Sequence, residues 1–173
     1  PNLTFLYDPD TSTEDILRLA TDNILKCSKP HIANHPVHKA TFDDRGYGIV
    51  SCYNALPVAG GSSTLTRINL KAVAELSDSE SHFLNEVLPR YMDMNFRLTE
   101  TRISYLFDQS GFFDSFLVSE KWIDRDRFTA MYGIYAMAEA VNILQDKAAL
   151  EGRYGFDDKA NDLGLRISKM LSE

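Results

Sequence analysis

Apolar residues near the start of the chain recur at intervals of three and four. They form a stripe of Ile16, Leu19, Ala20, Ile24 and Cys27. Ahead of the stripe, Thr11 is followed three residues later by Glu14, which is the spacing of a capping box. The pattern therefore predicts an amphipathic helix over about residues 12–28, with Cys27 as a buried core thiol on its apolar face.

Short apolar runs predict the strands. Residues 47–53 are small, apolar and β-prone, which is typical of a buried strand. A loop over residues 60–63 precedes a second strand over 64–68. Residues 131–135 form a strand that continues into a helix, and we expect Tyr132 and Tyr135 to pack in the core.

The segment that precedes the first of these strands contains two prolines. Pro30 and Pro36 bracket an extended segment over 31–33, and residues 39–46 are polar and turn-like. Three histidines occur here: His31, His35 and His38. Because Pro36 interrupts any helix that would align them, and no Cys or carboxylate completes a known ligand spacing, we interpret them as surface or loop residues. No metal site is predicted.

The second half of the chain has mainly helical spacing. A helix through residues 72–76 follows the second strand, and residues 77–80 begin a long helix that Pro89 kinks or interrupts. Residues 112–118 fit a strand or a loop equally well. A last helix carries apolar residues over 163–171. Strands that alternate with helices predict an α/β fold with parallel pairing.

Length, composition and charge narrow the class of protein. The 173 residues are 44% hydrophobic and 25% charged, as in a single globular domain. With a net charge of −7 and scattered Lys and Arg, the chain is not expected to bind nucleic acid. No apolar run approaches the roughly 18 residues of a membrane span, and two cysteines do not make a disulfide framework. We expect a cytoplasmic protein without a membrane partner.

Residues 34–52 contain the most specific pattern in the chain. Ahead of Cys52 they carry, in order, Asn34, Phe42, Tyr47 and Ile49. This order and spacing resemble the cysteine loop of the glycyl radical enzymes, whose pyruvate formate-lyase branch runs Asn, Phe, Tyr, Ile and a pair of cysteines. Cys52 falls on the second cysteine, which becomes a thiyl radical in that family, and Ser51 occupies the place of the first. Further on, Arg67–Leu70 resembles the family's Arg-Ala-Asn-Leu, offset by one residue.

The resemblance implies a fold, a mechanism and partners. The fold would be an internal part of a ten-stranded α/β barrel, with residues 1–173 as a single fragment and the cysteine loop at about 47–63. A thiyl radical on Cys52 would abstract a hydrogen atom from a small-molecule substrate, with no cofactor bound by this fragment. The family's radical glycine lies in an Arg-Val-x-Gly-Tyr motif that these residues lack. We therefore expect an internal piece of a longer enzyme, inactive alone, with its radical-glycine domain elsewhere in the polypeptide. A radical S-adenosylmethionine activase would install the glycyl radical.

Departures from the family pattern restrict the reaction. Ser51 lacks the thiol that carries an acyl group in pyruvate formate-lyase. Asn54 stands where the dehydratase branch has a glutamate base, and an amide does not accept a proton. Tyr53 is bulkier than that branch's valine. The resemblance thus implies that Ser51, Tyr53 and Asn54 orient a substrate in some other reaction. Ser-Cys-Tyr-Asn and the segment over 131–135 are similar to a branch called YjjI.

Two other readings of Cys52 stay open. It could be a simple core residue of a non-catalytic α/β domain that serves in scaffolding or interaction. It could also be an ordinary nucleophile, for which a nearby histidine base is needed. For the radical reading we expect Cys52 at the tip of a loop after a strand over 47–51, pointing inward beside residues 131–135. Glu139 is expected to favour the dipole of its helix start, and a buried acid near the site is the alternative.

Overall fold

The computed structural model describes residues 3–42, 44–50 and 54–172. Its elements are helices and small two-stranded sheets, so the mixed α/β class is confirmed. The chain divides into two compact units, residues 1–62 with 111–129 and residues 63–110 with 130–173. The three sheets of the described residues have two strands each, so they do not show a ten-stranded barrel.

The first unit begins with a parallel strand pair joined by a helix. Strand β1 (Thr4–Tyr7) pairs in parallel with β2 (His31–Asn34), and helix α1 (Glu14–Cys27) connects them. A helical crossover is what parallel neighbours require. The predicted helix is confirmed, but Thr13 rather than Thr11 caps it, because the Thr13 hydroxyl accepts a hydrogen bond from the Ile16 N–H at 3.4 Å.

A second helix follows β2 at once, where sequence reasoning placed a turn. Helix α2 (His35–Thr41) is capped by Asn34, whose side-chain oxygen accepts a hydrogen bond from the Val37 N–H at 3.2 Å. Pro36 is in the first turn of this helix. The prediction that Pro36 interrupts a helix was wrong, because proline lacks only an N–H that the first turn leaves unused.

The strand predicted over 47–53 is one arm of a hairpin. Strand β3 (Tyr47–Val50) pairs antiparallel with β4 (Asn54–Pro57), in a register that joins Tyr47 to Pro57 and Val50 to Asn54. The prediction of a buried strand was wrong for 47–50, where half-buried residues alternate with exposed ones. The prediction of parallel pairing was also wrong here. Residues 51–53 lie outside the described residues.

The second unit contains a long helix with two widened turns. After strand β5 (Gly61–Asn69) come helices α3 (Leu70–Glu75), α4 (Glu80–His82) and α5 (Leu88–Ser104). The predicted loop over 60–63 was wrong beyond its first residue, since β5 starts at Gly61. A π-helical turn over Phe83–Val87 joins α4 to α5, and another over Tyr105–Gln109 follows α5.

Proline explains the position of the first widened turn. Leu88 lies directly before Pro89. Its N–H donates a hydrogen bond to the carbonyl of Phe83, five residues back. Since Pro89 has no N–H and its ring crowds the carbonyl four residues back, regular α-helical bonding fails at this point. The predicted interruption at Pro89 is confirmed.

The described residues from 112 onward form short 3₁₀ and α-helical turns, one strand and two longer helices. Residues Phe112–Asp114 form a 3₁₀ turn and α6 covers Phe116–Ser119, so the segment 112–118 is neither strand nor simple loop. A second 3₁₀ turn, Arg125–Arg127, leads into strand β6 (Phe128–Tyr135), which pairs with β5. Helices α7 (Met137–Lys147) and α8 (Asp158–Ser172) complete the chain, as predicted.

The main core belongs to the second unit. Its buried residues come from the end of β5 and from α3, α5, α7, α8 and the first widened turn: Ile68, Leu70, Val73, Ala74, Phe83, Leu88, Ala140, Val141, Leu144, Ala160, Leu163 and Ile167. Two predicted core positions were wrong. Tyr132 and Tyr135 are 44% and 51% exposed.

The apolar stripe of α1 is largely exposed. Of its five members only Ala20 is buried, whereas Ile16 and Leu19 are 47% and 68% exposed. Cys27 is an exposed free cysteine, so the prediction of a core thiol was wrong. Its Sγ lies 3.2 Å from the carbonyl of Asn23 on the same helix. None of the described helices is both long enough and apolar enough to span a bilayer.

Candidate functional site

The candidate site residues belong to the β3–β4 hairpin and the segment between its strands. Asn54 opens β4, is half-buried and lies opposite Val50. Ser51, Cys52 and Tyr53 lie outside the described residues, so their predicted roles and the expected position of Cys52 beside residues 131–135 stay predictions. The structure describes the two strands that flank these residues and the contacts that hold those strands.

A cluster of aromatic and histidine rings holds the first residue of β3. The Nδ1 of His35 lies 2.6 Å from the Tyr47 hydroxyl, a short hydrogen bond. The ring of Phe42 stacks on Tyr47 with centroids 5.6 Å apart and planes at 24°, and the His38 ring lies 5.2 Å from it. A phenol is protonated at neutral pH, and burial raises the pKa of the Tyr47 phenol further above that range. When His35 carries its own proton on Nε2, its Nδ1 accepts the hydrogen bond that the Tyr47 hydroxyl donates.

A polar pocket lies beside this cluster, within the first unit. It has a volume of about 400 Å³ and is lined by His35, Lys39, Phe42, Asp44, Gly46 and Tyr47. Two of the lining side chains are the partners of the short hydrogen bond. The pocket therefore borders the residues that hold the hairpin.

The open end of the hairpin is fixed by backbone contacts and one ion pair. The Val58 N–H donates to the carbonyl of Gly46 at 3.0 Å, and Gly46 has a φ of +81° that favours glycine. Arg45 contacts Asp124 at 3.0 Å, and its hydrogen bond holds the pKa of that carboxyl below its usual range. The Nε of Arg127 donates to the carbonyl of Val58 at 2.7 Å. These bonds attach both strand ends to the segment that precedes β6.

The residues that carry the family resemblance have clear structural roles. Asn34 caps α2, and Phe42 stacks on Tyr47. Further on, Asn69 caps α3 by accepting a hydrogen bond from the Ala72 N–H at 3.4 Å. Ile68 and Leu70 on either side of it are 4% and 0% exposed. The matched positions outside the cysteine therefore form the framework around the hairpin and at the start of α3.

Sequence reasoning missed the histidines at the hairpin. His35 and His38 were interpreted as surface or loop residues, yet both contact Tyr47 from one face of α2. Asn34 followed by a proline two residues later is a helix-start signal that could have predicted α2. His35 is held at Tyr47, three residues before Val50, which is about 10 Å of strand. The structure thus places this histidine at the opposite end of β3 from Asn54.

The remaining candidates lie in the second unit. Tyr132 lines an apolar pocket of about 470 Å³ together with Met92, Phe96 and Met131, and desolvation raises its pKa. Glu139 is exposed in the first turn of α7, where its charge favours the helix dipole as predicted. Among the described residues no group of three or more His, Cys, Asp or Glu has the arrangement of a metal site.

Comparison with known proteins identifies the family. A family profile described as "Glycyl radical enzyme YjjI-like" matches residues 1–173. The uncharacterised protein YjjI of Escherichia coli (strain K12) is 51% identical over 174 residues, covering 100% of this chain and 34% of that protein. An uncharacterised protein of Haemophilus influenzae is 34% identical over the same length, again covering 34% of its own chain. The chain spans about a third of the length of these relatives, and it belongs to the YjjI-like glycyl radical enzyme family.

Proposed function

We propose that the parent protein is a glycyl radical enzyme in which Cys52 abstracts a hydrogen atom from a small substrate. The family match over the whole chain carries this proposal. It is supported by the framework described above, because Asn34, Phe42 and Tyr47 support the hairpin whose first strand ends two residues before Cys52. Residues 1–173 would supply the thiyl half of the site.

The proposed reaction begins with two hydrogen-atom transfers. The Cys52 S–H bond breaks and its hydrogen atom passes to the glycyl radical, which becomes an ordinary glycine and leaves a thiyl radical on sulfur. The thiyl radical then takes a hydrogen atom from a substrate C–H bond and leaves the unpaired electron on that carbon. Both steps need near-contact between the reacting atoms, so the protein's contribution is orientation.

The neighbours of Cys52 determine what the substrate radical can do. Asn54 offers a half-buried amide beside the hairpin's closed end, which can donate and accept hydrogen bonds but cannot act as a base. Ser51 offers a hydroxyl in place of an acyl-carrying thiol. Ser51, Tyr53 and Asn54 would together orient the substrate. Ser51 would form no acyl-enzyme, and Asn54 would remove no proton.

The proposed enzyme would need an activating partner, the rest of its own polypeptide and an anaerobic environment. A radical S-adenosylmethionine activase would install the glycyl radical on the parent protein, in a part of the polypeptide outside residues 1–173. The rest of that polypeptide would complete the site, so residues 1–173 alone are expected to be inactive. Radical storage on glycine would also restrict the enzyme to anaerobic metabolism, and we propose a cytoplasmic location.

The test uses deuterium exchange, because it needs no known substrate. A thiol exchanges its proton with solvent, so a reversible transfer between Cys52 and the glycyl radical in D₂O would place deuterium on the glycine α-carbon. The proton splitting of the glycyl signal in electron paramagnetic resonance would then collapse. In the activated full-length protein we expect this collapse in the wild type and in Cys27→Ser, which removes the exposed thiol of α1.

Cys52→Ser should keep the glycyl signal with its proton splitting intact. Collapse of the splitting at the wild-type rate in Cys52→Ser would show that another group relays the hydrogen atom. A full-length protein that never acquires a radical, even with its activase, would favour a scaffold or interaction role.

A further inference from the structure

We infer that His35 is a positioning residue: its hydrogen bond to Tyr47 fixes the orientation of the β3–β4 hairpin. The inference rests on the proposed function of Cys52, which lies in the segment between the two strands.

Two side chains of α2 converge on Tyr47. His35 and His38 are three residues apart and therefore share a face of the helix. Both meet Tyr47, one through a 2.6 Å hydrogen bond and the other through its ring at 5.2 Å. Phe42, directly after α2, stacks on the same ring. Of these contacts only the hydrogen bond defines a direction, so it determines how the phenol is held.

The β3–β4 hairpin depends on side-chain anchoring. Each strand has four residues, and a two-stranded hairpin alone is marginally stable in water. Tyr47 pairs with Pro57, a buried residue, and from this pair the ladder runs to Val50 and Asn54. A fixed Tyr47 therefore transmits its orientation through the ladder to the end of the hairpin where Asn54 lies.

The proposed hydrogen-atom transfer is sensitive to distance. A misplacement of about 1 Å caused far from the reacting atoms can cost on the order of a hundredfold in rate. His35 lies at the opposite end of β3 from Val50, so it would act through the position of the strand and not by touching substrate. Its removal should therefore change the rate of hydrogen transfer while the radical itself still forms.

The experiment measures the rate of splitting collapse in D₂O in the activated full-length protein. Tyr47→Phe removes the hydroxyl and keeps the ring, and His35→Leu removes Nδ1. Since a hydrogen bond of this kind is worth about a fivefold change in an equilibrium, we expect each variant to slow the exchange by about fivefold. The double variant should be no slower than the single ones, because both break the same bond.

Two further variants separate positioning from general damage. His35→Asn places an amide close to the position of Nδ1 and should recover part of the rate. Lys39→Gln changes a residue that lines the same pocket without being part of the His35–Tyr47 hydrogen bond, and it should exchange at the wild-type rate. Circular dichroism and radical yield should match the wild type in all of them.

The outcomes distinguish the inference from the function on which it rests. Wild-type exchange in Tyr47→Phe and His35→Leu, together with blocked exchange in Cys52→Ser, would overturn the positioning role alone. A radical yield that falls in step with the exchange rate would also overturn it, because the hydrogen bond would then serve folding. Exchange that persists in Cys52→Ser would refute the proposed function and the inference together.

Discussion

Lys147 makes a contact whose removal gives a quantitative test of the second unit. Lys147 is the last residue of α7, and its ammonium donates to the carbonyl oxygens of Ala74 at 2.9 Å, of Glu75 at 3.0 Å and, in a shorter contact, of Ser77. These carbonyls lie at and just beyond the C-terminal end of α3, where the last carbonyls of a helix lack α-helical partners. A positive charge at that end also favours the helix dipole.

The magnitude of a Lys147→Met substitution follows from these contacts. Hydrogen bonds to a charged group contribute about 1.5–3 kcal/mol each when buried. Lys147 is an exposed residue, so water would replace part of what is lost, but Ala74 and Ser77 are fully buried residues. With about 0.3–1 kcal/mol from the helix dipole, we expect a loss of about 2 kcal/mol in the free energy of unfolding. Met keeps the apolar stem and so isolates the ammonium.

The assay is urea unfolding, with hydrogen exchange of peptides that cover α3 and α7. The matched control is Lys159→Met, which removes an exposed lysine of α8 and should change stability by less than about 0.5 kcal/mol. Lys147→Arg should be intermediate, because a planar guanidinium fits three converging carbonyls less well than an ammonium. Equal effects of Lys147→Met and Lys159→Met would refute the assignment of a capping role to Lys147.

Two more predictions concern the core and the reaction. Leu163→Ala should lower the free energy of unfolding by about 2–5 kcal/mol, since this side chain is 0% exposed, whereas Leu165→Ala, two residues later and 69% exposed, should change it little. Similar losses in urea unfolding of the two variants would show that α8 packs by another face. The activated full-length enzyme should neither convert pyruvate to formate nor dehydrate glycerol or propanediol, because Ser51 and Asn54 lack the groups these reactions use. Turnover of either substrate class near about 10 s⁻¹, the median for enzymes, would show that Ser51 or Asn54 had been misinterpreted.

Helical periodicity predicted the elements of the chain well and their burial unevenly. The stripes that include Leu163 and Ile167 identified α8 and its buried face. The stripe of α1 has the same spacing, yet Leu19 in its middle is 68% exposed. Spacing identifies which face of a helix is apolar, whereas burial depends on which other element covers that face. That information is not local to the helix.

The candidate site was predictable only in part. Resemblance identified the segment around Cys52, and the structure places Asn54 at the start of a strand beside it. The contact between His35 and Tyr47 joins residues 12 positions apart through the fold of α2. Because a proline within a helical pattern predicts an interruption, the sequence did not predict α2 or the face that carries both histidines. A proline has opposite meanings in the first turn and in the interior of a helix.

The two widened turns in the long helix also affect how the chain compares with its relatives. Each π-helical turn, Phe83–Val87 and Tyr105–Gln109, accommodates one more residue than α-helical geometry would. A relative with one residue fewer within either turn would keep its later side chains on the same faces. The same deletion elsewhere in α5 would rotate every following side chain by about 100° around the helix axis. Single-residue gaps are therefore compatible with this fold at those two places and costly between them.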